Sequence, residues 1–511
     1  MQVSVVASCR TAVPLLSAVV ANKDQTDPAK EAIPTVLALP IGIDATDQRR
    51  EFDSLGDVEV PADHYWGAQT QRSLQHFSIG HDVMPKEVYH AYGFVKQAAA
   101  MVNTDAGRLP KWKGDLIAQV CREVTSGKLD SEFPLYVWQT GSGTQSNMNV
   151  NEVISNRCIQ LVGGQLGSQE PVHPNDHVNM GQSSNDTFPT AMHIAAYKMT
   201  TEKTIPALRR LRDAFEAKSK KWDTVVKIGR THLEDATPLT VGQEWSGYVG
   251  ALDDSIVELE HATAGLLQVA MGGTAVGTGL NSPVGFGDEV AATLAKLTGF
   301  PIKTAANKFT AQGTLDRMVR AHAGLKTVTV TLFKIANDMR WLGSGPRTGI
   351  MELVFPANEP GSSIMPGKVN PTQAEAMLMV CIEIMASDVA VQMGGSEGNF
   401  ELNAFRPIII ANCLHSALIM ADMSEHFREF MIEGTQLNES KLKDNIARSV
   451  MMVTALSPVI GYDKASAISH YAIDKDLTLK EAALANGVSE ELFDKVVVPI
   501  NMTRPGSADV S

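Results

Sequence analysis

Positive charge is in short supply in this chain. Its 511 residues carry 44 Lys plus Arg against 57 Asp plus Glu, a formal net charge of −13, and no run of basic residues of any length. Nucleic-acid binding needs a basic face for phosphate, so that class of partner is excluded. Cysteine is scarce too: Cys9, Cys121, Cys158, Cys381 and Cys413 stand far apart, with no C-x-x-C pair. An odd, dispersed set supports neither a disulfide framework nor a zinc or iron–sulfur site, and no cofactor or metal is expected. Outside the first forty residues no apolar stretch approaches the roughly 18 uncharged residues that cross a bilayer, so no membrane span is expected in the body of the chain.

What is there has the composition of a globular protein, 44% hydrophobic and 20% charged. At roughly 150 residues per domain, the length allows about three domains. Residues 1–47 differ in character from the rest of the chain. Met1 to Ala21 holds one basic residue, Arg10, no acid, and an apolar stretch at Thr11 to Ala21. That suits an organelle transit signal, which would mean a mitochondrial location. No basic segment precedes a long apolar core, however, so the expectation is a disordered extension or an upstream start codon on a cytoplasmic protein.

Long helical patterns dominate from about Thr187 onward. Leu315, Met318, Val319, His322, Leu325, Val328, Leu332, Ile335 and Met339 recur at steps of three and four, which predicts a helix on the order of 36 Å long. Gln243 to Val269, Thr372 to Met393 and Asn403 to Ile432 give three more, with apolar stripes wide enough for burial on several sides. The fold class is therefore mainly α, with a central bundle of long helices. One copy would leave much apolar surface exposed, so a homo-oligomer is expected; the alternative is a monomer with satellite domains. Gly/Pro-rich loops interrupt the bundle at 271–287 and 342–371, and a smaller helical unit begins at about Lys441.

Four polar, mostly Gly-bearing segments flank the long helices: Thr140 to Asn147, His173 to His177 running on to Gln182 through Asp186, Gly229 to Asp235, and Gly361 to Pro371. Singly, each is ordinary turn and helix-cap chemistry. Together they supply what a small dianion needs: hydroxyls, amides, N–H groups at helix starts and one lysine, at fixed positions. Ser183, Ser184 and Asn185 precede one helix; Lys368 and Asn370 precede another. In the last segment Gly361 and Gly367 permit unusual backbone and Pro366 and Pro371 restrict it, which suits a loop that closes over a ligand. Its serine is a poor base unless strongly hydrogen-bonded or cation-stabilised. His232, in Arg-Thr-His beside a glycine, is the best titrating candidate in a polar loop ahead of a long helix. Glu375, one turn into the Thr372 helix, is the group expected to orient it and favour its protonated form. His322, in its apolar stripe, reads as a packed residue.

The Gly361-Ser-Ser-Ile-Met-Pro-Gly-Lys-Val-Asn-Pro371 loop resembles the signature of the fumarase/aspartase superfamily. Within it the fit is to the metal-free, iron-independent fumarases, from about Arg49 past Gly461-Tyr-Asp-Lys464. Aspartases usually carry Gln in place of His232 and Ala in place of Gly367. Argininosuccinate and adenylosuccinate lyases lack Gly141-Ser-Gly-Thr-Gln-Ser-Asn-Met-Asn149 and His173-Pro-Asn-Asp176. The resemblance implies a carbon–oxygen lyase of the tricarboxylic acid cycle, interconverting fumarate and (S)-malate by anti addition of water through an aci-carboxylate intermediate. Residue by residue, it implies that Ser142, Thr144, Ser183, Ser184, Asn185, Lys368 and Asn370 hold the substrate carboxylates. Thr231 and His232, with Glu375 as the histidine's partner, lie near the water and leaving group. Ser362 is the base, and His173, Asn175 and Asp176 form a shallower second site at the entrance. It further implies a homotetramer whose central helices merge into one bundle, with each active site drawn from three chains. The domains are then an extension (1–47), an N-terminal helical domain (48–182), the bundle (183–440) and a small C-terminal domain (441–511). Met180-Gly181, Glu234 and Glu170 depart from the usual fumarase pattern, at the second site and in the charge of the cleft. An aspartate ammonia-lyase and a non-catalytic scaffold of the same fold are the alternatives.

Overall fold

The computed structural model describes residues 33–506. The segment expected as a transit signal, Met1 to Ala21, lies outside them. The described chain opens as an extended strap across the end of a long helix. The amide of Leu37 donates to the carbonyl of Leu161 (2.7 Å), and buried Arg157 donates to the carbonyls of Leu39 and Pro40 at 2.9 and 3.0 Å. Next is a hairpin of β1 (Gln48–Asp53) and β2 (Gly56–Pro61). Then come α1 (Ala68–His76), α2 (Lys86–Asp105), α3 (Lys111–Thr125) and α4 (Thr144–Leu161). A wide helical turn at Pro174–Val178 leads to α5 (Ser184–Met199) and α6 (Ile205–Lys221). A second hairpin, β3 (Val226–Thr231) and β4 (Glu234–Thr240), runs into α7 (Val241–Ala264).

The remaining elements are α8 (Phe286–Thr298), α9 (Lys308–Gly313), α10 (Asp316–Leu342), α11 (Thr372–Ser396), α12 (Arg406–Phe427) and α13 (Glu439–Arg448), then α14 (Ser457–Ile460), α15 (Tyr462–Lys475), α16 (Leu479–Ala485) and α17 (Glu490–Val496). Helix α7 packs on α10, α10 on α11, α11 on α12, α12 on α6, and α6 back on α7, so five helices close a ring. Its core holds Trp245, Leu252, Leu332, Met339, Met377 and Met420, each buried side chain contributing about 1.5–3 kcal/mol. A second core joins α2, α3 and α4 to α5, α8 and the starts of α10 and α12 through Tyr92, Phe133, Phe188, Phe286, Met318 and Ile409. A third, of Leu456, Ile468, Ala482 and Phe493, captures Ile228 of β3, so the hairpin links the C-terminal helices to the bundle.

Local chemistry sets the helix ends. Thr240 and Gln243 form a reciprocal cap at the start of α7: the Gln243 amide donates to Thr240 Oγ1 (3.0 Å) and the Thr240 amide to Gln243 Oε1 (2.9 Å). Helix α10 carries Asp316 in its first turn and Arg340 in its last, both favourable to the helix dipole. The stretch expected as helix from Asn403 starts instead at Arg406, with Pro407 in the first turn where a missing N–H costs nothing. The stretch expected to reach Val269 ends at Ala264.

Helices α11 and α12 are, by length and composition alone, long and apolar enough to cross a membrane once a couple of charges are tolerated. This differs from the expectation that nothing in the body comes near that limit. Helix α12 lies mostly inside the ring, whereas only 39% of the apolar window of α11 is buried. Met379, Ile382, Val389 and Met393 form an exposed stripe along it.

Candidate active site

Two of the polar segments meet at a pair of helix N-termini. Helix α4 begins at Thr144, after Gly141-Ser142-Gly143, and this turn admits glycine alone at two positions. A Cβ on Gly141 would lie 1.3 Å from the carbonyl oxygen of Ala404, and one on Gly143, at φ +77°, 2.4 Å from the Phe188 ring. The turn is pinned from α12, since the Arg406 amide donates to the Gly141 carbonyl (3.0 Å). Helix α5 begins at Ser184, so Ser184 and Asn185 belong to its first turn rather than preceding it. Three hydroxyls join the two starts: Ser142 Oγ to Thr144 Oγ1 and Thr144 Oγ1 to Ser184 Oγ, each 2.9 Å. All three are half-buried. Converging N-termini with a run of hydroxyls bonded only to one another are a ready receptor for a carboxylate.

Ser183 plays a different local part. Its Oγ accepts from the Asn185 amide (3.2 Å), while Asp186 accepts from the amides of Ser183 (3.0 Å), Gly272 (3.1 Å) and Thr274 (2.9 Å). Burial raises the Asp186 carboxyl, with those amides and Lys96 pulling it back down. Asn185 Nδ2 donates to the Ala275 carbonyl (2.7 Å), tying the 272–275 loop over the α5 start.

Gly361 to Pro371 closes on itself at its neck. The Gly361 amide donates to the Lys368 carbonyl and Asn370 Nδ2 to the Gly361 carbonyl, both at 2.8 Å. Ser362 Oγ accepts from the amides of Ile364 and Met365 at 3.2 Å each. The Lys368 ammonium is exposed, with no hydrogen bond or ion pair to a described residue, and Ile364, Met365 and Val369 are exposed around it. Glu375 is exposed in the first turn of α11.

Thr231 and His232 do not sit in an open loop as expected. Thr231 ends β3 and pairs with Glu234, and His232 and Leu233, at φ 60° and 65°, form the two-residue hairpin turn. Two non-glycine residues in the left-handed region are a strained choice of the kind functional sites retain. The hairpin is braced by Glu352, which bonds Lys227 (2.9 Å) and Arg230 (2.8 Å). His232 faces a groove lined by α7 and α10, with Tyr248, Lys334 and Asp338.

His173 caps the Pro174–Val178 turn, its Nδ1 accepting from the amides of Asn175 and Asp176 at 3.1 Å each. Asn175 and Asp176 are exposed. Of the departures, Met180 accepts through its carbonyl from Asn103 Nδ2 (3.0 Å), and Gly181 lies at φ +71°. Glu170 and Glu234 are exposed.

One chain thus brings Ser142, Thr144, Ser183, Ser184 and Asn185 together. It leaves the Ser362–Lys368–Asn370 loop and the Thr231–His232 turn elsewhere; no hydrogen bond or ion pair links these three groups, or His232 to Glu375, among the described residues. Sequence reading missed the charges beneath the helix starts. Lys96 and Arg406 are fully buried there beside Asp186. The signal was available for Lys96, which shares a helical face with Tyr92 and Ala99.

Known proteins share this arrangement of elements. A family described as lyase matches residues 56–386, and one described as fumarase C C-terminus matches residues 452–504. The chain is 64% identical over 471 residues to a class II fumarate hydratase of Methanosarcina acetivorans, covering 92% of this chain and 97% of that protein. It is 54% identical over 457 residues to a mitochondrial fumarate hydratase of Rhizopus oryzae, covering 89% and 92%. The crystal structure of a class II fumarase from Schistosoma mansoni superposes with a TM-score of 0.87 at 42% identity, covering 90% of this chain and all of that one.

Proposed function

The chain belongs to the class II fumarate hydratase family, and from that premise we propose that it catalyses the reversible anti addition of water to fumarate, giving (S)-malate. The observation that carries the reading is the run of hydroxyls from Ser142 through Thr144 to Ser184 across two converging helix starts. Together with Ser183 and Asn185 it is the receptor for one substrate carboxylate. In the dehydration direction Ser362 takes the proton from the carbon beside the other carboxylate. The resulting dianionic aci-carboxylate is held by Lys368 and Asn370, which must bind it more tightly than they bind malate for the step to be fast. On the opposite face Thr231 and the His232–Glu375 pair assist hydroxide departure. His173, Asn175 and Asp176 serve as a shallower anion site near the entrance.

These groups lie apart in one chain, so the reading includes a homotetramer in which neighbouring copies bring the Ser362 loop and the His232 turn onto the α4 and α5 starts. The exposed stripe on α11 supports it, as does the exposed Lys368 ammonium, which has no hydrogen bond or ion pair to a described residue. The three-domain division at residues near 182 and 440, and a cytoplasmic location, belong to the same reading. The test is direct: purified full-length protein is incubated separately with malate and with aspartate while fumarate absorbance is followed. Malate should be turned over; turnover of aspartate alone overturns the assignment. Mass spectrometry of the native N-terminus decides whether residues 1–47 are retained.

A further inference from the structure

Lys96 is fully buried in α2, among Val88, Tyr92, Val95 and Ala99. Its ammonium donates to three side-chain amide oxygens: Asn147 Oδ1 (2.8 Å), Asn179 Oδ1 (2.8 Å) and Gln182 Oε1 (3.0 Å). Three protons thus meet three acceptors, and none of the acceptors is a carboxylate. Neutral amides repay only part of the cost of burying a charge, and an apolar side chain of similar length would serve packing better. Burial accordingly lowers the ammonium to about 7, with Asp186 opposing. A residue this expensive in stability calls for another reason to be there.

Its three partners supply one. Asn147 lies one turn beyond Thr144 in α4 and also accepts from Thr187 Oγ1 of α5 (3.1 Å). Gln182 immediately precedes Ser183, and its Nε2 donates to the carbonyls of Val178 (3.1 Å) and Met180 (3.2 Å). Asn179 donates through Nδ2 to the Gln182 carbonyl (3.2 Å). With their oxygens turned to one ammonium, the three carboxamides have fixed orientations: the Asn179 and Gln182 nitrogens close the 178–182 segment on itself, and Asn147 Nδ2 donates to Asn179 Oδ1 (3.3 Å), which ties that segment to α4. Arg406 adds a second buried cation, reaching the Ser142 carbonyl at 3.5 Å. When Lys96 is protonated, it and Arg406 set two buried positive charges against the carboxylate of Asp186 beneath the hydroxyl run, inside a chain of net charge −13.

We propose that Lys96 is a positioning residue for the anion site: it locks Asn147, Asn179 and Gln182 so that the α4 and α5 starts keep their spacing, and it supplies positive charge behind Ser142, Thr144 and Ser184. This rests on reading that hydroxyl run as a carboxylate receptor. The full-length protein and its Lys96→Gln and Asn179→Leu variants are compared by succinate titration calorimetry and by fumarate hydration kinetics, with circular dichroism and light scattering as controls on folding and assembly. Glutamine keeps two donors and removes the charge. It is expected to weaken succinate binding and raise KM for fumarate by roughly tenfold, with a smaller change in kcat. Asn179→Leu keeps the ammonium and loses one tether, for a loss of about two- to threefold. Constants within about twofold of the parent in a folded Lys96→Gln protein overturn the proposal. Should that variant fail to fold, unchanged constants in Asn179→Leu overturn it. A parent protein that does not hydrate fumarate, yet binds succinate more tightly than Lys96→Gln does, sinks the reaction reading and sustains the role of Lys96.

Discussion

A serine hydroxyl is a poor base, and in the proposed mechanism, where Ser362 takes that role, the two amides of Ile364 and Met365 aimed at its Oγ are the feature that favours it. They stabilise negative charge on the oxygen before any partner subunit contributes. Ser362→Ala is expected to lower kcat by roughly 10²–10⁴-fold while succinate affinity and thermal midpoint stay close to the parent's, because the hydroxyl lies half-exposed at a loop tip. Near-normal turnover removes Ser362 from the base role. Gly143 shows the opposite balance. It touches no substrate in the proposed reading, yet a Cβ there would enter the Phe188 ring. Gly143→Ala should cost about 1–3 kcal/mol in denaturant unfolding through overpacking and the left-handed backbone. A loss below a few tenths of a kcal/mol shows that the ring moves aside freely.

At the scale of elements, the sequence reading of His322 as a packed residue of α10 is right about burial and incomplete about chemistry. His322 Nδ1 meets Asp388 Oδ1 of α11 and its Nε2 meets Ser416 Oγ of α12, each at 2.9 Å, so one side chain joins three helices. Lys326 and Gln392 also bond Asp388. Burial lowers His322 below the usual histidine value, with Asp388 opposing. Burial raises Asp388, but Lys326 and His322 outweigh it and its net shift is downward. Both groups therefore bind fewer protons folded than unfolded. Their contribution is complete above the ordinary histidine value and is lost progressively as the pH falls. The thermal midpoint should drop between pH 7 and pH 5, and His322→Asn should start lower at pH 7 and lose less on acidification. An equal slope in both proteins assigns the acid sensitivity to other groups.

For the whole molecule, the exposed α11 stripe of Met379, Ile382, Val389 and Met393 is the surface that neighbouring copies cover in the proposed tetramer. Covering side chains of this size contributes about 1.5–3 kcal/mol each, enough in sum to hold copies together. Ile382→Lys combined with Val389→Lys should leave helix content intact by circular dichroism, shift light scattering from four copies to smaller species, and remove most of the activity. Activity retained by a monomer ends the proposal that each site is shared between subunits.

The helices themselves were legible from the chain because their determinants are local. Apolar steps of three and four place α10 to within a few residues and α12 to within three of its start, expected at Asn403 and found at Arg406, and a serine, threonine or asparagine before a turn marks a cap. The Ser142, Thr144, Ser184 cluster was legible as polar segments next to helix starts. Tertiary structure alone decided that His232 sits on a strained hairpin turn, since that depends on strand pairing with Glu234. Tertiary structure also decided that Lys96 spends its charge on three amides 51 to 86 residues away. The helical face that Lys96 shares with Tyr92 and Ala99 points to its burial, but pairing across such separations is a property of the packed chain, and no local pattern of residues carries it.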